Sequence, residues 1–479
     1  VILKLSKLSV LTDEELKMID NASLEILGET GIAIKSRDVL SFLEDKGLDV
    51  DYDSMAVRFE PGLVRKAVSS VPKQFEIFNR DQSDSFKLGG GNPTRTAAGH
   101  NAVFIQDHGK KERRPCSKKE VGTFAKIANY LDDIDVVAPE AMPQDVNAKA
   151  SILHAVDAVI SNTVKPVLFS PENAAEVEAL IEMIKAIMGS ERIDKDPVGI
   201  CQFSPSSPLF WNEGTIKGFI RIVEEGFPCT ILPGPLAGAT SPYTLSSNLV
   251  QRNCEVLSGV VIAHLINRKA PLLSYNGGGQ FDMMSLTGVL GTPEVTLISI
   301  AGTQLAQHYG IPTHGCVPCS DSHCMDMQLG IENMLLTLAG MACGTDLLVN
   351  AGMYATGETA SYEQLVMDNE IIRIARRMVR GFDVNKETMS VKSIKKAGPR
   401  GNFLTDITTL INLRSGEWSE SEIFTRQKYE SWIRKGGKTA MEKANDISDR
   451  IKKMDDFPIE NDKRKLIDEI IADFEKRQV

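Results

Sequence analysis

Long apolar runs are missing from this sequence: no stretch approaches the ~18 to 20 continuous apolar residues of a membrane span, so no membrane partner is expected. The opening segment 1–11 is short, carries Lys4 and Lys7, and lacks a cleavage-site pattern, which argues against a signal peptide. Short repeats and low-complexity tracts are absent too, setting aside repeat arrays. No G-x-G-x-x-G stands between a strand and a helix, which disfavours an open dinucleotide-binding sheet. Positive charge is also in short supply. Lys plus Arg is 54 against 64 Asp plus Glu, a net charge of -10, so nucleic acid is not an expected partner. A small anion held by a few local cations stays open. The eight cysteines are scattered over core-like and loop-like segments; without an export signal they are expected to be free thiols in a cytoplasmic protein.

What is present is ordinary for a globular enzyme: 479 residues, 42% apolar and 25% charged, enough to bury a sizeable core. Three textures divide the chain. Residues 1–95 read as an α+β extension ending in Gly89-Gly90-Gly91-Asn92-Pro93, 96–383 as a (β/α)8-barrel core, and 384–479 as barrel completion followed by a charged helical segment. In the middle region, apolar runs at 134–138, 166–169, 198–203, 228–232, 271–275, 311–316 and 347–351 alternate with amphipathic helix patterns. Continuous apolar strands separated by helices imply parallel pairing, because each crossover helix covers the sheet. Seven such runs favour a closed TIM barrel, with the eighth strand expected at 102–105 or at 388–394. Helix signals support the alternation. Ser117 with Glu120 makes a capping box, Ser170-Pro171 and Thr292-Pro293 read as helix starts, and Gly189 and Gly310 as stops. The terminal pattern Leu466, Ile467, Ile470, Ile471, Phe474 is one apolar stripe that needs a surface to pack on.

In such a barrel the chemistry lies on loops that follow the strands. Those segments are Pro139-Glu140, Ser204-Pro205-Ser206, Pro233-Gly234-Pro235, Asn276 to Gln280, Cys316 to His323, and Asn350-Ala351-Gly352. Most of their glycines and prolines are what turns require. The triple glycine 277–279 bares backbone where something large approaches. His314, Cys316, Cys319, His323 and Cys324 crowd into one loop with zinc-like C-x-x-C spacing, but no second ligand pair accompanies them, so thiols lining a pocket are preferred. A Cys–His nucleophile pair is a further reading, with no orienting third group visible. Aromatic residues make up only 6%, yet Phe203, Phe210, Trp211, Tyr243, Tyr275, Phe281, Tyr354 and Tyr362 gather near strand ends. Each alone is expected to be packing; together they suit a quaternary ammonium, which π faces hold without hydrogen bonds.

Several blocks of the sequence carry a resemblance. Gly234-Pro-Leu-Ala-Gly-Ala-Thr-Ser-Pro-Tyr-Thr-Leu245, Cys254-Glu-Val-Leu-Ser-Gly259, Phe281-Asp-Met283, Gly291-Thr-Pro-Glu294, Ser320-Asp-Ser322, Asp326-Met-Gln328, Ser361-Tyr-Glu-Gln-Leu-Val-Met-Asp-Asn-Glu370 and Gly398-Pro-Arg-Gly-Asn-Phe-Leu404 resemble, in the same order, the trimethylamine methyltransferase superfamily of corrinoid-linked enzymes. The likeness runs from about Leu11 to about Gly436. It implies a TIM barrel and methyl transfer from an amine to the cobalt of a reduced corrinoid on a partner protein. Trimethylamine members contain pyrrolysine; here every position is a standard residue, with His323 at or beside that place. Members without pyrrolysine are similar to enzymes acting on quaternary amines such as glycine betaine, proline betaine, carnitine and γ-butyrobetaine. Thr408 stands where many relatives carry His, so substrate contacts borrowed from those relatives are not carried over.

The chemistry agrees with that substitution. A quaternary ammonium already carries the charge its leaving group needs, so aligning donor and cob(I)alamin in line and excluding water suffices. Accordingly Phe210, Tyr243, Tyr275, Phe281 and Tyr354 are candidates for a cation cage. His323, Asn276, Gln280 and Asn350 are candidates for holding a substrate carboxylate. Asp321 and Glu358 would offset the ammonium charge, and Gly234, Gly277, Gly278 and Gly279 would give the corrinoid room. No catalytic side chain beyond these, no metal and no tightly bound cofactor is expected, and the assembly is expected to be a homo-oligomer. Two alternatives are a zinc-assisted corrinoid methyltransferase with another donor and a non-catalytic scaffold that binds a betaine or the corrinoid protein.

Overall fold

The computed structural model describes residues 7–413 and 415–477; the first six residues of the segment read against a signal peptide lie outside that range. At its centre, Arg95–Ala98, Leu347–Ala351, Thr313–Cys316, Leu272–Tyr275, Cys229–Ile231, Gly199–Phe203 and Val167–Phe169 are parallel neighbours in that order. Single parallel bridges, Ala97 to Val136 and Val137 to Val167, join the two ends through residues 136–137. These close a TIM-type barrel of eight staves.

The missing stave is neither place the sequence pattern suggested. It is Arg95–Ala98, a short Ala-rich run behind a turn-rich stretch, without the apolar β-branched signature of the other strands. Phe104–Gln106 is a strand, but it pairs with Thr359–Ala360 and Arg113–Arg114 outside the barrel. Residues 388–394 form a turn leading into the helix Val391–Ala397.

The seam between 95–98 and 136–137 has little backbone pairing and relies on charge. Asp135 accepts from the Thr96 N–H and from Arg95, each at 2.9 Å, and also pairs with Arg376, whose other nitrogen reaches Asp133 at 2.9 Å. Breaking a largely buried ionic network leaves its partners uncompensated, so Asp135→Ala is expected to cost about 3 kcal/mol in urea unfolding. A loss below about 1 kcal/mol would show that the seam does not depend on it.

The N-terminal end of the barrel is plugged. The hairpin Gln74–Phe78 and Ser85–Gly89 places Ile77, Phe86 and Leu88 in one cluster with the inward residues Ala97, Val136, Ala138, Leu168, Ile200, Leu273, Leu347 and Val349. Any ligand must therefore enter from the other end, where the strands' C-termini lie.

Around the barrel, the capping box on Ser117 opens Lys118–Tyr130, and Thr292-Pro293 opens Pro293–Tyr309, which Gly310 ends in a left-handed conformation. The helix after Val167–Phe169 starts later than its Ser170-Pro171 signal. Asn173 caps Ala174–Met188, and Gly189 stops it. The last helix, Asn461–Arg477, buries Ile467, Ile471 and Phe474 and packs on Ala174–Met188. Among the described residues one helix, Leu245–Ile266, is long and apolar enough to cross a membrane by length and composition, yet 83% of its most apolar window is buried inside the protein. Buried Asn248, Gln251, Arg252, Asn253 and Glu255 punctuate it, as suits a helix wedged between protein surfaces.

The loop after Gly199–Phe203 leaves the barrel entirely. Its strand Phe210–Trp211 pairs with Ile32–Ile34 of the N-terminal sheet, tying residues 13–70 to the barrel's side.

Candidate active site

Side chains alternate along a strand, so residues two beyond the inward apolar layer point into the barrel one level nearer its mouth. From Ala138, Leu168, Ile200 and Leu273 this rule leads to Glu140, Ser170, Gln202 and Tyr275. Cys316 follows two residues after His314, whose Nδ1 meets the Thr230 hydroxyl across the barrel at 3.1 Å. Asn350 joins the layer by a bulge. The register slips between Val349 and Ala351, and Asn350 takes φ +111°, a conformation L-residues hold only when their surroundings impose it.

The polar groups of this layer partly meet one another. The Gln202 amide nitrogen lies 2.9 Å from His100 Nε2, so a neutral His100 accepts there and carries its proton on Nδ1. Asn350 lies beside His100 and Cys316, and Tyr275 beside Cys316, while the buried His100 Nδ1 has no hydrogen-bond partner. The Tyr275 ring meets His314 edge-on at 6.1 Å and 90°. Yet His314 Nε2, Gln202 Oε1, Ser170 Oγ and both Glu140 oxygens are buried with no hydrogen-bond partner in the protein. Buried polar atoms are nearly always satisfied, so such a concentration at one end of a barrel marks a place built for a ligand.

Burial also sets the charge of the site. It lowers His100 to about 4 and His314 to about 3, so both rings are neutral near pH 7. It pushes the Cys316 thiol up to about 12 and the Tyr275 hydroxyl well above its ordinary range. The layer thus offers no cation and no activated thiolate. Of the eight free cysteines only Cys324 is exposed. Ellman's reagent is expected to react rapidly with one thiol in the native protein and with none in Cys324→Ser; a second fast thiol would contradict this.

The residues singled out from sequence disperse. Tyr275 and Asn350 lie in the inward layer. Asn276 turns the other way, its amide bonding Thr303 at 2.7 Å and Thr345 at 3.0 Å among the surrounding helices. Gln280 and Phe281 sit half-buried on Gly279–Asp282, the middle strand of a small sheet with Leu236–Ala237 and Thr287–Val289. Tyr243 is 62% exposed. Phe210 pairs with the N-terminal sheet under the Lys35 ammonium, 4.3 Å away. Tyr354 is buried and donates to Gln106 at 2.5 Å. Asp321 pins a neighbouring loop, accepting from the N–H groups of Leu290 and Gly291 at 2.9 and 2.8 Å and from Thr356 at 3.1 Å. Glu358 forms an exposed ion pair with Arg113 at 3.0 Å, and His323 is exposed. Thr408 sits at the start of the short outer helix Ile407–Asn412, capped by Asp406.

The glycines resolve differently from one another. A Cβ on Gly277 would fall 2.4 Å from the Tyr275 hydroxyl, on Gly278 2.7 Å from Asn248 Oδ1, and on Gly279 2.3 Å from Leu236, so the protein's own atoms fill the space beside all three. Gly234 is exposed, with nothing within 4 Å. The crowded loop separates as well. His314 and Cys316 line the barrel, Cys319 is buried, and His323 and Cys324 face outward; among the described residues no three His, Cys, Asp or Glu are grouped to hold a metal ion.

His100 and Gln202 escaped the sequence reading for definite reasons. His100 follows the unrecognised strand Arg95–Ala98, and Gln202 hides inside an apolar run, where its inward direction shows only once the barrel is closed.

A family model described as trimethylamine methyltransferase (MTTB) matches residues 1–478. The chain belongs to that family. It is therefore a methyltransferase. The MTTB-family relatives include trimethylamine methyltransferase MttB of Desulfitobacterium hafniense (strain DSM 10664 / DCB-2), 30% identical over 434 residues covering 90% of this chain and 87% of that protein. Trimethylamine methyltransferase MttB of Methanosarcina thermophila is 30% identical over 452 residues, 92% of this chain and 93% of its own. The glycine betaine methyltransferase of Desulfitobacterium hafniense (strain Y51) is 27% identical over 433 residues, 90% of this chain and 89% of its own. Among solved structures, the hydroxylamine MtmB complex superposes with a TM-score of 0.51 at 11% identity, over 98% of this chain and 88% of that one, which supports the barrel fold.

Proposed function

We propose that this methyltransferase moves a methyl group from a quaternary amine of the betaine class to the Co(I) of a corrinoid carried by a partner protein. The observation that carries the reading is the charge state of the inner layer. Two neutral imidazoles, two amides, a tyrosine and the buried Glu140 carboxyl line it, with no cation to repel an ammonium and neither a cationic acid nor an activated thiolate to assist an uncharged donor. A donor that already bears its positive charge needs neither. Similarity to a glycine betaine methyltransferase, and a sequence composed only of standard residues, favour the same class of donor.

In this reading the Tyr275 ring faces the methylammonium, and the amides of Gln202 and Asn350 orient the rest of the donor. Reduced corrinoid would supply the nucleophile, and the C–N electron pair departs with a neutral tertiary amine. Tyr243, Gln280, Phe281 and His323 are rim candidates, and Gly234 a position open to the partner. The corrinoid protein docks at the mouth, because the hairpin 74–89 closes the opposite end. A homo-oligomer belongs to the reading too: the helices Val391–Ala397 and Ile407–Asn412 bury no residue of their own and expose Ile394, Ile407, Leu410 and Ile411.

The test is a panel of quaternary amines (glycine betaine, proline betaine, carnitine and γ-butyrobetaine) incubated with purified protein and cob(I)alamin. Methyl transfer is followed by the corrinoid absorbance. Turnover with at least one betaine and none with trimethylamine is expected; no turnover with any betaine rejects the reading.

A further inference from the structure

Glu140 is a buried carboxyl of the inner layer with no evident structural duty. It lies two residues beyond Ala138 on the inward face, entirely buried, and neither carboxylate oxygen has a hydrogen-bond partner. The Gly99 N–H, which faces the carboxyl and lowers it slightly, donates to the Ala351 carbonyl at 2.7 Å. The surroundings are shaped around the carboxylate all the same. A Cβ on Gly352 would fall 2.3 Å from Oε1, and one on Gly99 2.8 Å from it, so both neighbours must be glycine for the group to lie there. Met353 and Leu365 crowd the same two glycine positions.

An unsatisfied buried acid costs folding free energy and brings none back. The protein could have spared it: Asp368, close by on Tyr362–Arg380, is fully satisfied by the Gly352 N–H, Asn333 and Gln364, each at 2.8 Å. The titratable groups facing Glu140 are Asp368 and the Cys116 thiol, neither of them a cation. What would satisfy such a carboxylate is a positive charge that arrives with the ligand.

We propose that Glu140 is the counter-ion for the donor's quaternary ammonium and the residue that selects a cationic head group over a neutral one of the same shape. This rests on the betaine reading above. Burial and the nearby Asp368 raise its carboxyl well above the ordinary range, which favours the protonated form in the empty site. An entering ammonium favours the carboxylate, and the proton passes to solvent. Betaine affinity therefore rises with pH below the carboxyl's pKa in the empty site.

The experiment compares each betaine, by titration calorimetry, with the carboxylate in which a neutral quaternary carbon replaces the ammonium nitrogen: glycine betaine with 3,3-dimethylbutanoate, and γ-butyrobetaine with 5,5-dimethylhexanoate. Wild type is expected to prefer the tighter-binding betaine at least tenfold and to release protons on binding it, read from heats in buffers of different ionisation enthalpy. In Glu140→Gln the preference should fall to within twofold with isostere affinity unchanged. The KM for the betaine should rise more than kcat falls, and proton release should vanish. A preference retained in Glu140→Gln, or equal loss of both ligands, overturns the role while leaving the betaine reading intact if wild type still turns over. Should Glu140→Gln not fold, the wild-type preference decides, and a betaine and its isostere bound within twofold of each other overturn the role. Wild type binding neither betaine overturns both.

Discussion

Replacing Gly277 by alanine is expected to lower kcat/KM for methyl transfer about 100-fold while Gly234→Ala changes it less than twofold. The asymmetry follows from what each new methyl meets. At Gly277 it would lie 2.4 Å from the Tyr275 hydroxyl and 2.6 Å from Cζ, well inside contact distance. The ring has no slack, because it is buried, stands edge-on to His314, and hangs from a carbonyl that Arg252 holds. A displacement of about 1 Å at a reacting group is enough for a loss of this size. Overpacking should add a stability cost of about 1 to 3 kcal/mol. At Gly234 the methyl meets open space. Equal activity of the two variants would show that Tyr275 does not align the donor.

Arg252→Ala is expected to destabilise the protein by about 3 to 5 kcal/mol, one of the largest losses available to a single substitution. Arg252 is 1% exposed, and burial lowers it to about 10, so it is charged at pH 7 and donates to the Tyr275 carbonyl from behind the site. Its removal leaves a cavity and an unpaired carbonyl. It also withdraws a positive charge that lowers Glu255, whose carboxyl burial pushes up to about 7. An acid raised in the folded state contributes stability that is present at low pH and lost as pH climbs through the folded pKa. Without Arg252 that pKa rises further, so the deficit against wild type should be larger at pH 8 than at pH 6. Urea unfolding at the two pH values checks both size and sign. A deficit under about 1 kcal/mol, or one that shrinks toward pH 8, would contradict the assignment.

The barrel was legible where its strands are buried on both faces, since such strands write themselves as continuous apolar runs. Arg95–Ala98 was not, because alanines facing a crowded interior leave no periodic trace; with that strand unread, His100 had no place in the site. Ser170 read as a helix cap because Ser-Pro is a helix-start signal, yet the helix starts after Asn173 and the serine lies in the inner layer. The triple glycine read as room for something large. The large neighbour of Gly277 is Tyr275, two residues earlier in the same chain. For the aromatic residues, composition near strand ends could not say which ring turns inward. Phe210 shows why: its loop leaves the barrel to pair with the N-terminal sheet, a contact between segments some 180 residues apart.

The sequence by itself determined the architecture, the family and the face of the barrel that carries chemistry, because periodicity, caps and ordered motifs are local and survive in one dimension. The tertiary structure alone decided which polar groups converge, which of them stay without partners, and that both inner histidines are neutral. Those properties are sums over strands far apart in the chain, and a buried group's charge is set by everything packed around it rather than by its neighbours in sequence.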